Sequence, residues 1–394
     1  MSSTALPAPP VEAQRLSEQL VAYIADEIRR SGGSIPFARF MELALYAPGL
    51  GYYSAGSDKL GQAGDFVTAP EISPLFSRAL ARQCAEVLAQ CGGSILEFGA
   101  GSGVMAAEML QALSQAGQLP DQYLILDVSA DLRQRQQQLL TQRVPELMDR
   151  VRWLDHLPAS FRGVMLANEV LDAMPVHRIH WRAEGPQQLR VALDVHGTLA
   201  WAHGAVTEPR LQAAINVITT TCAGSFSGDE YVSEINLAAQ DWLASVAESL
   251  ERGALLLIDY GFPRHEYYHP DRCSGTLMCH YRHRAHDDAL WWPGLQDITA
   301  HVDFTAVAEA AVAHGLTVAG YTSQAHFLLD CGLMQLLSEQ VSDDDLRGQL
   351  ELAQQIKKLT LPHEMGELFK VMALTRGMTS PLTGFTSRDQ RGRL

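Results

Sequence analysis

The chain has 394 residues, 47% of them hydrophobic and 19% charged, so it is long enough to bury a large core and too apolar for a disordered chain. Thirty Lys+Arg against forty-five Asp+Glu leave a formal charge of −15, which excludes nonspecific nucleic-acid binding, because a polyanion needs a basic surface. No apolar run approaches the roughly 20 residues of a membrane span, and the opening MSSTALPAPPVEAQRL lacks an apolar signal core. The six cysteines form no Cys-x-x-Cys pair and read as reduced cytoplasmic thiols.

Residues 1–12 form a Pro/Ala-rich tail. Leu16, Leu20, Tyr23, Ile24 and Ile28 follow helical spacing until Gly32-Gly33. A second helix spans Phe37 to Leu45 and stops at Pro48-Gly49; a Gly-rich loop then runs to Ser73, where Ser73 or Pro74 opens a helix to about Gln90. From Ser94 the rhythm changes. SILEF, YLILD, RVRWL and GVMLAN read as strands, with helices at Val104–Ala116 and Ala130–Arg143 between them. Such alternation specifies a parallel sheet with helices on its faces. Residues 176–206 alternate as hairpins, helices follow near Leu211–Thr220 and Ile235–Leu250, and GALLLID is another strand. An irregular stretch, 261–302, precedes a helix at Phe304–Ala313; residues 324–358 are helical and LFKVMALTR is the terminal strand.

The most informative segment is ILEFGAGSGVMAAEML, where an apolar strand ends at Phe98 and a helix begins after Gly99, Gly101 and Gly103. Glycines let the chain turn sharply and bring backbone N–H groups close to a ligand. The dinucleotide fingerprint Gly-x-Gly-x-x-Gly fails, because Val104 occupies its sixth position. Gly-x-Gly-x-Gly remains, the pattern of class I S-adenosylmethionine methyltransferases. Two carboxylates support it: Glu97 near the methionine end of such a cofactor, and Asp127 at the end of YLILD, placed for the ribose hydroxyls. Asp155, after RVRWL, is a candidate for the adenine side. A tight strand–helix turn without ligand is the plain alternative.

The chain resembles the MidA family of S-adenosylmethionine-dependent methyltransferases, which includes mitochondrial complex I assembly factor 7, a protein arginine methyltransferase. The likeness rests on MELALYAPGLGYY, GDFVTAPEISPLFSRAL, LEFGAGSG, ANEVLDAMPVHR, LLIDYGF, GTLMCHYRHRAHDD, PGLQDITAHVDF and MGELFKVMALTRG. It departs at Ser77, where the family expects glycine, and at Asp127, where glutamate is frequent. The resemblance implies an α/β, Rossmann-like class I methyltransferase sheet with an N-terminal helical segment and inserted hairpin and helical lid elements. The expected division is residues 1–92, and 93–394 with insertions at about 176–232 and 261–302. Gly99, Gly101 and Gly103 would hold the cofactor, Asp127 its ribose, and the loop with Gly64 and Asp65 would close over it. The implied partner is a protein substrate, a respiratory complex I subunit modified at arginine in a bacterial cytoplasm.

An arginine acceptor needs carboxylates to orient its guanidinium. ANEVLDAMP follows the fourth strand, at the sheet edge where ligands of open α/β sheets bind, so Asn168, Glu169 and Asp172 are candidates. Their plain alternatives are a helix cap, a helix N-terminal acid and a surface helix residue. Asp259 and Tyr260 share that edge; the 261–302 stretch offers Asp297, Thr299 and His301, with His301 placed to take a proton, and Asp303 follows it. Asp65, Thr68 and Glu71 stand before the helix at Ser73. Cys273, Cys279, His280, His283 and His286 match no usual zinc spacing, so no metal is expected. Two rival readings stay open: an assembly protein with a vestigial cofactor pocket, and a nicotinamide oxidoreductase.

Overall fold

The computed structural model describes residues 6–55, 68–226, 230–340 and 346–394. The chain forms two compact units: one gathers the described residues of 1–66, 172–241 and 262–303, the other those of 67–171, 242–261 and 304–394.

The second unit is built on a mixed sheet whose main path has seven strands: β1 (Ser94–Phe98), β2 (Tyr123–Leu126), β3 (Val151–Leu154), β4 (Phe161–Asn168), β5 (Leu250–Phe262), β6 (Thr317–Ser323) and β7 (Phe369–Arg376). Their spatial order is β3-β2-β1-β4-β5-β7-β6. The first five are parallel, with Leu96 opposite Leu124, Ile95 opposite Val164 and Ala254 opposite Val164. The terminal strand β7 runs antiparallel between β5 and β6, with Leu256 opposite Ala373 and Tyr321 opposite Met372. Val164 to Ala167 and Ala254 to Ile258 are buried along their whole length. Continuous burial is why these strands read as unbroken apolar runs instead of alternating ones.

Three helices matter for the site: α1 (Pro74–Cys91), α2 (Val104–Gln115) and α3 (Ala130–Arg143). Ser73 caps α1 by accepting from the Leu75 N–H at 3.3 Å, and Ser129 caps α3 by accepting from Leu132 at 3.4 Å. Leu80, Cys84 and Val87 of α1 and Met109, Leu110 and Leu113 of α2 join Ile95 and Val164 in one buried core.

In the first unit the strand Gln187–Leu193 pairs antiparallel with Ser34–Pro36, His177–Trp181 and Leu199–Gly204. His177–Trp181 also pairs with Tyr231–Ile235. The expected helix from Ile235 is therefore a strand ending at Ile235 followed by the helix Leu237–Ser249. The stretch 261–302 carries the short helix Arg264–Tyr267 and a three-stranded sheet of Met278–Tyr281, Arg284–His286 and Asp297–Thr299. Leu20, Ile24 and Ile28 of the helix Val11–Arg30 are buried as their spacing requires, whereas Tyr23 is exposed.

Candidate functional site

Strand order reverses on either side of β1: β2 and β3 lie to one side, β4 and β5 to the other. Ligands of such sheets bind at the carboxyl ends of the strands beside that switch. Here those ends carry Gly99 to Gly103, Asp127, Asn168 to Val170 and Asp259.

Gly99, Gly101 and Gly103 have φ of 63°, 54° and 88°, a region that costs an L side chain roughly 1–2 kcal/mol. At Gly99 an added Cβ would meet only Val170 Cγ2 at 3.6 Å, so conformation demands glycine there. At Gly103 a Cβ would lie 3.2 Å from Gln136 Cα, so space demands it too. The Ser102 hydroxyl donates to the Glu71 carboxylate, fixing the turn against the short helix Ala69–Ile72. Gly64 and Asp65 lie outside the described residues.

Asp127 is buried just past β2. Its Oδ1 accepts from the Ser129 N–H at 2.9 Å and its Oδ2 from Gln136 Nε2 at 2.8 Å. A carboxylate has about four acceptor positions, and with the Val128 N–H also bonded to it at least one remains for a ligand hydroxyl. Burial raises its pKa, against the lowering effect of these donors and of Arg133. The neighbouring Val128 side chain is 76% exposed, an apolar surface beside a buried carboxylate.

Glu97 lies in β1, wholly buried, with its Oε2 accepting from Tyr123 Oη at 2.6 Å. Burial pushes its carboxyl up to about 7, against the Tyr123 bond that lowers it and with Asp127 raising it further. Because that value stands above the ordinary 4.5, the folded chain binds more protons than the unfolded chain between the two pH values. Stability therefore declines as pH rises from about 4.5 to 7 and levels off above. Glu97→Gln is expected to stabilise the protein at pH 8 by at most about 3 kcal/mol, with the gain gone near pH 4.5. Thermal unfolding at both pH values checks this; an equal shift at both would return the Glu97 pKa to its ordinary range.

Asp155 is 78% exposed at its side chain and pairs with Arg133 at 2.7 Å, which lowers its pKa. Arg133 Nε also donates to the Asp127 carbonyl at 2.9 Å, so this arginine joins the ends of β2 and β3.

At the end of β4, Asn168 Nδ2 donates to Glu169 Oε1 at 3.1 Å, and Asn168 Oδ1 is buried without a hydrogen-bond partner among the described residues. Glu169 has φ of 53°, rare for a residue with a side chain, and its N–H donates to the Ile258 carbonyl at 2.9 Å. No helix begins here. The segment leaves β4 as a turn, which removes the helix-acid and helix-surface readings of Glu169 and Asp172. Asp259 is buried, with Oδ2 accepting from the Leu171 N–H at 2.9 Å and Oδ1 from the Tyr260 N–H at 2.8 Å, so it braces this turn.

Asp172 and His301 belong to the first unit. Asp172 is buried, its carbonyl accepting from the Ala300 N–H at 2.9 Å, and the next carbonyl, Ala173, accepts from Tyr46 Oη at 2.9 Å. Tyr53 stacks on Tyr46 with centroids 5.5 Å apart and donates to Asp297 Oδ1 at 2.9 Å. The His301 ring packs on Phe262 at 5.3 Å, while Asp303 pairs with Arg264 at 3.3 Å. Among the described residues no three His, Cys, Asp or Glu side chains are grouped to hold a metal. Sequence reasoning singled out none of Gln136, Ser102, Tyr123, Tyr46 and Tyr53: Ser102, Tyr46 and Tyr53 lie inside segments that carry the resemblance, whereas Gln136 and Tyr123 stand in no motif.

Five parallel strands closed by an antiparallel β7 inside β6, with the Gly-rich turn after β1 and the acid after β2, form the frame of a class I S-adenosylmethionine-dependent methyltransferase. The family model for S-adenosyl-L-methionine-dependent methyltransferases matches residues 79–322, more than half of the chain. The chain belongs to this family, the MidA family. A Burkholderia thailandensis protein crystallised with S-adenosyl-homocysteine is 46% identical to it, covers 99% of this chain and 100% of its own, and superposes with a TM-score of 0.94. A native crystal structure from the same organism gives 46% and 0.91 over the same shares. The mitochondrial protein arginine methyltransferase NDUFAF7 of Danio rerio is 26% identical over 95% of this chain and 94% of its own. The human protein of that name is 26% identical over 88% and 81%. The cofactor is S-adenosylmethionine, and the buried Asp127 carboxylate and the glycine turn fit it.

Proposed function

We propose that the chain methylates a protein at an arginine nitrogen. The observation that carries this reading is Glu169: a carboxylate held at positive φ on the edge where the cofactor turn lies, and hydrogen-bonded to Asn168. Such strain persists where surrounding structure enforces it, characteristically at functional sites. The names of the curated relatives support arginine as the acceptor.

When bound, S-adenosylmethionine supplies a methyl group activated on a sulfonium. Asp127 accepts from the ribose hydroxyls, and Gly99, Gly101 and Gly103 let the backbone approach the cofactor, with Glu97 behind the turn and Asp155 on the adenine side. Gly64 and Asp65 are assigned to the covering loop. Glu169 accepts from the acceptor guanidinium, keeping its planar face oriented, and Asn168 holds Glu169. Asp172 and His301 are assigned to the acceptor, His301 as the base that takes the proton released on nitrogen. The family resemblance suggests symmetric dimethylation of a respiratory complex I-type subunit in a bacterial cytoplasm. Among the described residues no helix is long and apolar enough to cross a membrane.

The test is methyl transfer from labelled S-adenosylmethionine to protein extracts, read by peptide mass spectrometry. One or two methyl increments on arginine, absent with Glu169→Gln, are expected. Label on another side chain would overturn the acceptor. Intact cofactor binding with no transfer to any extract would favour an assembly protein with a vestigial pocket.

A further inference from the structure

We propose that Gln136 is a positioning residue that sets the cofactor pocket, holding the Asp127 carboxylate and the Gly101 peptide in one fixed arrangement. It rests on the reading of Asp127 as the ribose acceptor. Gln136 and Leu140 are the two buried residues of α3, a helix otherwise rich in Gln and Arg. The Gln136 side chain is entirely removed from solvent, and its amide is fully engaged. Nε2 donates to Asp127 Oδ2 at 2.8 Å and to the Gly101 carbonyl at 3.0 Å, while Oε1 accepts from Trp153 Nε1 at 2.9 Å. Only one amide orientation is possible, because a rotated amide would face two acceptors with its oxygen and the donor-only indole with its nitrogen.

One side chain thus ties together the turn after β1, the acid after β2 and the indole of β3. Gly103 packs on the backbone of the same residue, and a Cβ there would lie 3.4 Å from Gln136 Cβ. With Ser129, Val128 and Gln136 bonded to Asp127, the acceptor capacity that remains is aimed before the ligand arrives. Binding then spends less on ordering the site. The charged groups facing Asp127 are Glu97 from β1 and Arg133 from α3, and Arg133 is itself paired with Asp155. The Gln136 donor favours the charged form of Asp127.

Titration calorimetry with S-adenosylhomocysteine tests the proposal, with thermal unfolding as the check on folding. Gln136→Leu is expected to weaken binding about tenfold to a hundredfold at pH 7.5, the loss of a hydrogen bond to a charged group. The loss should grow toward pH 6, because Asp127 without its donor protonates at higher pH; Glu97 titrates in both proteins, so the difference between the profiles reports Asp127. Gln136→Glu places an acceptor against an acceptor, so binding should weaken at pH 7.5 and recover in part toward pH 6, where the introduced carboxyl becomes a donor. These opposite pH trends would not arise from packing alone. A folded Gln136→Leu with wild-type affinity and pH profile overturns the proposal; should that variant fail to fold, unchanged affinity in Gln136→Glu does so. Wild-type affinity in Asp127→Ala instead removes the ribose reading, which separates the two failures.

Discussion

Gly101→Val is expected to abolish binding of S-adenosylhomocysteine, at least a hundredfold in affinity, in a chain that still folds. At φ of 54° any L side chain is strained, and a β-branched one most of all. A backbone outlier of this kind costs roughly 1–3 kcal/mol, small against a typical stability of about 5–15 kcal/mol, so the melting temperature should fall by a few degrees only. The loss of binding has a separate cause. A strained side chain would force the turn to relax, displacing the Gly101 carbonyl from Gln136 Nε2 and with it the backbone proposed to approach the ligand. Gly101→Ala, with less bulk and less strain, should bind with intermediate affinity. Calorimetry with circular dichroism on the same samples measures both effects, and wild-type affinity in folded Gly101→Val would sink the cofactor-turn assignment.

Replacing Glu169 should separate stability from activity. Glycine accepts φ of 53° without strain, so Glu169→Gly is expected to be more stable than Glu169→Ala by about 1 kcal/mol. Both variants lack the carboxylate proposed to orient the acceptor, and both should lose about a hundredfold or more in methyl transfer. Their affinity for S-adenosylhomocysteine should stay at the wild-type level, because Asp127 and the glycine turn are untouched. Denaturant unfolding supplies the first quantity and labelled methyl transfer the second. Full activity in Glu169→Gly would remove the residue from the acceptor machinery. Equal stability of the two variants would mean that the turn relaxes and that no strain is held there.

The strands of the sheet and the helices between them were legible as sequence because their signals are local. A parallel strand buried on both faces must be an apolar run, as in Val164 to Ala167, and a strand that turns into a helix through positive φ must spend glycines, as at Gly99, Gly101 and Gly103. The position of Asp127 was legible for the same reason, since it directly follows a strand. Glu169 was visible as a carboxylate at the end of β4, but its left-handed backbone was not, because no property of glutamate announces it; in the fold its N–H donates to the Ile258 carbonyl. Tyr231–Ile235 is a strand directly before a helix, so its last residue, Ile235, merged into the helical pattern that follows and the other four gave no separate signal.

What the sequence by itself determined is the class of core and the glycine turn proposed to receive the cofactor, because each depends on neighbours within a few residues. Tertiary structure alone decided three things: the place of β7 between β5 and β6, the gathering of residues 172–241 and 262–303 with the N-terminal helices, and the burial and hydrogen bonds of Gln136. Each depends on groups far apart in the chain. Ser34–Pro36 pairs with Arg190 to Ala192, Tyr53 bonds Asp297, and one glutamine in a Gln-rich helix meets Gly101, Asp127 and Trp153. Nothing local distinguishes that glutamine from its neighbours; only burial, and the need to satisfy a buried amide, singles it out.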